Sequence, residues 1–381
     1  MESTQEEKNK QVEMEVDSDP KIAEMTEEER EEYKDKLEEE KEAEITINYT
    51  KLGSEECPVN EDDEDIYYQE VYRIPAIENL ERCSKLKILS LRKNMIKKIE
   101  GLEECTALTE LDLYDNRIKK IEGLDTLVNL ETLDLSFNRI KLVENLDSLV
   151  NLKTLYLIGN RIRKIENLSA LKVVNEVDFG DNKIKSIEGI EEVPQITKFY
   201  IAKNRIKEFH PCIKNLTKLK VLGIQTNEIS KISNLEECVE LEELYMQQNF
   251  VSEIEGLETL TNLMIFDVAY NKIEAISGLD SNKELTDLWI NSNKISDWSS
   301  VEYLKNLPNL DTIYLIHNKV AEDKKYIEYV MENIPSVTQI DSDNVQLIKR
   351  RAASGGTQVK PFIVKGNEEA SNMLKTVLKK W

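Results

Sequence analysis

Two histidines, five cysteines and a regular series of aspartates are the side chains to which a reaction or a metal could be assigned. His210 precedes Pro211 in an irregular turn, and His317 precedes a recurring asparagine. Each reads as a loop residue rather than a base or a ligand. Cys57, Cys83, Cys105, Cys212 and Cys238 are scattered, with no pair at zinc-finger spacing. Their number is odd and the acidic N-terminus shows no secretion signal, so they are expected to be reduced thiols. The sequons at Asn48, Asn167 and Asn215 would then carry no glycan. There is no Gly-rich phosphate loop, no His-Glu-x-x-His and no nucleophile elbow. The aspartates could pass for paired general acids and bases. On an open face, however, they would lack the desolvation that tunes such groups. The expectation is a protein that is not an enzyme and holds no metal and no cofactor.

The aspartates gain meaning from the elements that must carry them. Leu108, Leu111, Leu113, Asn116, Ile118, Ile121, Leu124 and Leu127 recur as Leu130, Leu133, Leu135, Asn138, Ile140, Val143, Leu146 and Leu149. A third copy follows from Leu152 to Leu171, and the period is 22 residues. This is the leucine-rich-repeat pattern. Asn94, Asn116, Asn138, Asn160, Asn182, Asn204, Asn227, Asn249, Asn271, Asn293 and Asn318 track it. Two steps are longer, 23 residues from Asn204 to Asn227 and 25 from Asn293 to Asn318. The Leu-x-Leu stretch predicts a short strand that stacks in parallel on its copies, about 4.8 Å apart. The Asn turns the chain and bonds backbone groups left open at the bend. The Ile-x-x-Ile-x-x-Leu return fits short 3₁₀ or helical turns. The fold class predicted is α/β: a curved leucine-rich-repeat solenoid with parallel strands on its concave face and 3₁₀ or helical turns on its convex face.

The outward position four residues before each Asn runs Ser90, Asp112, Asp134, Tyr156, Asp178, Tyr200, Gly223, Tyr245, Asp267, Trp289 and Tyr314. Asp287, two before Trp289, also points outward. Tyr and Trp fill five of these eleven places and Asp four, unlike a merely solvated strand face. Trp and Tyr are enriched at binding hot spots, and interspersed Asp favours a basic or hydroxyl-rich partner. The bland alternative is that the aromatics stack on one another in neighbouring rungs.

Charge divides the chain. Residues 1–65 hold 26 acidic and 8 basic residues, and 345–381 hold 2 and 8, within a net charge of −23. That balance argues against a general nucleic-acid or anionic-membrane binder. No apolar run approaches the roughly 18 residues of a membrane span. The expected organisation is an acidic, mostly disordered tail over 1–65, an N-terminal cap or half repeat over 66–87, the array over 88–320, a C-terminal capping unit over 321–344 and a basic extension over 345–381. In the tail, Thr26 and Glu29 form a possible capping box ahead of a marginal helix carrying Tyr33 and Leu37. In the first cap, Ile74, Ile77 and Leu80 repeat the second half of the unit without a clear strand half. In the second, Ile327, Val330, Met331 and Ile334 predict an amphipathic helix ending before Pro335. Lys349, Arg350, Arg351 and then Ser354 resemble a basophilic kinase site, and the run Ala370, Met373, Leu374, Val377, Leu378, Trp381 has helical spacing.

Several stretches give a more specific resemblance. They are Glu110–Gly123 (ELDLYDNRIKKIEG), Thr132–Ile140 (TLDLSFNRI), Ile165–Leu168 (IENL), Trp289–Trp298 (WINSNKISDW) and Ile334–Asp341 (IPSVTQID). Over roughly 66–344 the chain resembles the protein phosphatase 1 regulatory subunit 7 family. The resemblance implies a non-catalytic subunit that binds the type-1 phosphatase catalytic subunit through its concave face, often with inhibitor-3 as a third component, in nucleus and cytoplasm. The contact positions it implies are Asp134, Tyr156, Asp178, Tyr200, Asp267, Asp287, Trp289 and Tyr314. Asp112 and Tyr245, from the same column, complete the candidate partner-binding set. Tyr156 and Tyr200 stand where the family has Phe, and Asp178 and Asp287 where it has Glu. The short basic-Val/Ile-x-Phe/Trp docking motif of other phosphatase regulators is absent in proper form: Val177-Asp178-Phe179 and Ile196 to Phe199 both lack it. The alternative is an acidic leucine-rich-repeat scaffold for a different nuclear or chromatin partner.

Overall fold

The structure is a computed structural model that describes residues 49–69, 72–323 and 325–353, with a few positions between 25 and 37. It divides into two units, residues 1–50 and 51–381. In the first, the expected capping box forms: the Thr26 amide donates to Glu29 Oε2 at 2.7 Å and the Glu29 amide to Thr26 Oγ1 at 3.3 Å. Met25, Tyr33 and Leu37 there are partly buried.

The second unit is a solenoid built on one 14-stranded sheet in sequence order. Its strands are β1 (Asp65–Tyr67), β2 (Ile88–Ser90), β3 (Glu110–Asp112), β4 (Thr132–Asp134), β5 (Thr154–Tyr156), β6 (Glu176–Asp178), β7 (Lys198–Tyr200), β8 (Val221–Gly223), β9 (Glu243–Tyr245), β10 (Ile265–Asp267), β11 (Asp287–Trp289), β12 (Thr312–Tyr314), β13 (Gln339–Ile340) and β14 (Asp343–Asn344). Each pair from β1 to β13 is parallel, and β14 turns back antiparallel on β13. The middle residue of each three-residue strand in the array is buried and its neighbours face outward, as alternation requires. The Leu, Ile, Val and Phe columns form one continuous core. No rung could bury this core alone.

The asparagines join the rungs. Asn182 Oδ1 accepts from the Ile162 amide at 2.9 Å, in the rung before. Its Nδ2 donates to the carbonyls of Leu157 at 2.9 Å and Phe179 at 3.1 Å. Asn116, Asn138 and Asn160 repeat the pattern.

The convex side consists mostly of tight turns. Helical turns occur in the two long units and, as the 3₁₀ turn Ile190–Glu192, in one unit of 22 residues. The 23-residue unit absorbs its extra residue in the 3₁₀ turn Pro211–Asn215, and Tyr200 still pairs in register with Gly223. The 25-residue unit places helix α1 (Ser299–Tyr303) there, and Trp289 still pairs with Tyr314. Length variation is thus confined to the convex side, and the strand face keeps its register.

Both ends extend beyond the expected boundaries. Leu52 and Cys57 are buried in the core, and β1 supplies the strand half that 66–87 lacked. Its acidic approach belongs to the first rung rather than to a tail. Glu64 pairs with Lys87 at 2.6 Å, and Asp62 pairs with Lys85. At the other end, helix α2 (Lys325–Asn333) buries Tyr326 and Val330, with Ile334 buried just after it, while Ile327 and Met331 are half-buried. The cap does not stop at 344: helix α3 (Val345–Ala353) follows at once and buries Val345 and Ile348. Asp341 Oδ1 closes the last full rung, accepting from the amides of Leu315 at 2.7 Å and Ile316 at 2.8 Å. Ser354 and the run 370–381 lie outside the described residues.

Candidate protein-binding face

The column read from the sequence is a single line in space. Strand register pairs Ser90 with Asp112, then Asp134, Tyr156, Asp178, Tyr200, Gly223, Tyr245, Asp267, Trp289 and Tyr314, one rung to the next. Tyr67 of β1 extends it by one rung and is exposed. A second outward column runs through the first residue of each strand and includes Asp287, Glu176 and Glu243.

The aspartates have a local structural reason. Asp134 Oδ1 accepts from the Ser136 amide at 2.9 Å, Asp178 Oδ1 from Gly180 at 2.7 Å and Asp267 Oδ1 from Ala269 at 3.0 Å. Asp112 Oδ1 does the same for Tyr114 at 3.1 Å. Each carboxylate satisfies the amide two residues on, where the strand ends and the turn begins. These groups are not openly solvated, contrary to the expectation from sequence. Burial pushes Asp178 and Asp267 up to about 7, against the opposing pull of those amides. Burial also raises Asp134. The reason is rung spacing: about 4.8 Å leaves little room for water beside a short side chain flanked by rings. Asp112 and Asp267 are buried outright, so their carboxylates serve the fold first.

The aromatics are interleaved rather than stacked. Tyr156, Tyr200 and Tyr245 alternate with Asp178 and Gly223, all three rings half-buried. Trp289 and Tyr314, at the end of the column, meet ring to ring at 5.7 Å. Carboxylates missed in the sequence hold two of the phenols: Tyr156 donates to Glu176 Oε1 at 3.0 Å and Tyr245 to Glu243 Oε2 at 2.7 Å. Their signal was the second column, which sequence reasoning used only at Asp287. Asp287 itself accepts from Thr286 Oγ1 at 2.7 Å. The indole Nε1 of Trp289 is buried without a hydrogen-bond partner.

At the N-terminal end the face is closed by its own charges. Arg92 reaches Asp112 at 2.8 Å and Asp134 at 3.7 Å, and its guanidinium lies 4.1 Å from the Tyr114 ring centre. One cation there is shared between two carboxylates. From Tyr156 to Tyr314 the column holds all five of its rings, so the aromatic character is concentrated in the middle and later rungs.

The histidines stay in turns. His210 Nδ1 accepts from the Cys212 amide at 3.4 Å as the cap of the 3₁₀ turn, and His317 sits at φ 62° before Asn318. All five cysteines are free and buried, and burial pushes Cys105, Cys212 and Cys238 up to about 12. Among the described residues no group of His, Cys, Asp and Glu could hold a metal, and no helix is long and apolar enough to cross a membrane.

Register, asparagine ladder and period together define a leucine-rich-repeat solenoid. Comparison with known proteins agrees: the family described as Leucine Rich repeats (2 copies) matches residues 84–126, 106–149 and 128–172, and the family Leucine-rich repeat matches 242–362. The chain therefore carries leucine-rich-repeat domains, and neither matched family is enzymatic. No curated protein matches the sequence. Among solved structures the chain is similar to an internalin, InlF, from Listeria monocytogenes, at 23% identity and a TM-score of 0.61 over 74% of this chain and 88% of that one. It is also similar to a leucine-rich-repeat protein of Leptospira interrogans, at 22% identity and 0.65 over 73% and 72%. These likenesses speak to the fold. Solenoids of this class act as protein-binding scaffolds through extended surfaces.

Proposed function

We propose that this chain is a non-catalytic regulatory subunit of the type-1 protein phosphatase, binding the catalytic subunit across its concave strand face. The observation that carries the reading is the outward line from Tyr156 to Tyr314, where five rings are interspersed with Asp178, Gly223 and Asp267 in strand register. Rigid aromatic rings offer contact area at small entropic cost, and the carboxylates select a basic counter-surface. The resemblance of the repeats, the long last unit and the cap to the regulatory subunit 7 family supports the choice of phosphatase. It also supports inhibitor-3 as a third component and residence in nucleus and cytoplasm. Half-buried Tyr156, Asp178, Tyr200, Tyr245, Asp287, Trp289 and Tyr314 are the main contacts in this reading. Asp134 and the buried Asp112 and Asp267 hold the face in shape. Co-elution of the purified catalytic subunit with the full chain on a sizing column tests the proposal. A complex is expected with wild type and not with Asp287→Ala, Trp289→Ala. Absence of any complex with wild type returns the chain to a scaffold for another partner.

A further inference from the structure

Two glutamines on the strand face have hydrogen-bonding capacity that the fold does not use. Gln225 and Gln247 stand two residues after Gly223 and Tyr245, in adjacent rungs whose strands β8 and β9 pair in register. Gln225 is half-buried and Gln247 is 9% exposed. The side-chain oxygen of each is covered and accepts no hydrogen bond, and neither side chain has a partner among the described residues. A covered, unpartnered amide oxygen is a standing cost in the free protein.

The backbone at the same place is short of a partner too. In the aspartate rungs the amide at this position donates to the carboxylate two residues before it, as Ser136, Gly180 and Ala269 do. Gly223 has no side chain to accept from Gln225, and the Tyr245 hydroxyl is taken by Glu243. Neither the Gln225 nor the Gln247 backbone amide has a hydrogen-bond partner among the described residues. The neighbours along this column are small, Ala202 before and Ala269 after. Gly223 also gives the Tyr200 ring room, since a Cβ there would lie 2.8 Å from a ring carbon and 3.1 Å from Gln225 Oε1. The two glutamines thus lie beside the half-buried Tyr200 and Tyr245 rings that flank Gly223.

The chemistry selects the ligand. A cation would meet two unpaired N–H groups. A carboxylate would come near Glu243 and Asp267. A neutral group that carries a donor beside an acceptor meets neither obstacle, and the peptide group is such a group. A glutamine amide carries the same pair and can match it at both atoms. No bond fixes either glutamine amide, so each can turn to present oxygen or nitrogen.

We infer that Gln225 and Gln247 bind main-chain peptide groups of an extended segment of the partner protein, reading its backbone rather than its side chains. This role rests on the reading of the strand face as the protein-binding face. Same-side peptide groups of an extended chain recur about every 6.8 Å, which two flexible side chains rooted about 4.8 Å apart can span.

The variant Gln225→Met, Gln247→Met keeps the length of both side chains and removes both amides. In the full chain it should melt above wild type by circular dichroism, because two unpartnered covered oxygens are gone. Calorimetric titration with the type-1 phosphatase catalytic subunit should nevertheless show affinity lowered roughly tenfold or more. Thr226→Val, Gln248→Met removes the hydrogen-bonded pair on the adjoining turn and should stay within about twofold of wild type. A Gln225, Gln247 variant that melts no higher than wild type, or binds within about twofold of it, overturns the inference. If wild type does not bind the catalytic subunit, the phosphatase reading fails, and blocked triglycine, a backbone without side chains, decides the role of the glutamines. At millimolar concentration it should shift the two side-chain amide NMR signals that the double Met variant lacks. No shift of those signals overturns the inference.

Discussion

At the scale of single residues, the outward aspartates carry two tasks, and pH separates them. An aspartate in an unfolded chain titrates near ~3.9, whereas Asp178 and Asp267 hold their protons up to about 7 in the fold. Between those values the native state binds more protons than the unfolded state. Their contribution to stability is therefore most favourable at the acid end and is lost as pH rises through that window. Asp267→Asn keeps an acceptor for the Ala269 amide and removes the titration. Its melting temperature should fall less than that of wild type between pH 5 and pH 8, by a few degrees. An identical fall in both proteins would show that this carboxylate is not charged at a cost. The same residues show what a sequence can reveal. Their place in the column was legible from spacing alone. Their bond to the amide two residues on, and the resulting burial, depended on rung packing that no spacing displays.

At the scale of the element, each turn is a solved steric problem, and several solutions alternate. On the convex side the chain passes through the left-handed region at Gly101, Gly123, Asn145 and Asn167. The glycines let the backbone lie against the rung before. A Cβ on Gly123, at φ 67°, would run into the Ile99 carbonyl oxygen. Where Asn stands instead, its Nδ2 donates to that carbonyl, as Asn145 does to Ile121 at 2.6 Å and Asn167 to Val143 at 2.7 Å. In the long unit helix α1 stands at this place, and its Tyr303 Oη satisfies a different group of the rung before, accepting from the Leu279 amide at 2.9 Å. Gly123→Ala should cost about 2 kcal/mol or more, from left-handed strain added to the clash. Urea unfolding monitored by circular dichroism measures it, and a loss under about 0.5 kcal/mol would contradict the reading. The strand and Asn columns were plain in the sequence because one residue type repeats. This convex column was not, because Gly, Asn and a helix exchange places along it.

At the scale of the whole molecule, stability is the sum of rungs, and the ends decide whether the array is closed. The acidic run before β1 reads as tail by composition, yet Leu52 and Cys57 lie in the core and Glu64 is paired with Lys87. Composition misled there because a solvated rung face and a disordered tail have the same residues. A chain shortened to begin at residue 66 should melt several degrees below one that begins at residue 49 and should associate on standing, because β2 becomes an open edge. Equal melting and a clean monomer would place the start of the cap where composition put it. The central claim concerns the strand face, and calorimetric titration of the type-1 phosphatase catalytic subunit into the full chain tests it most directly. Wild type should bind tightly, and Asp287→Ala, Trp289→Ala should lose roughly 3 kcal/mol or more, as central hot spots do. Equal affinity of the two proteins, or no heat with wild type at matched concentrations, would contradict it.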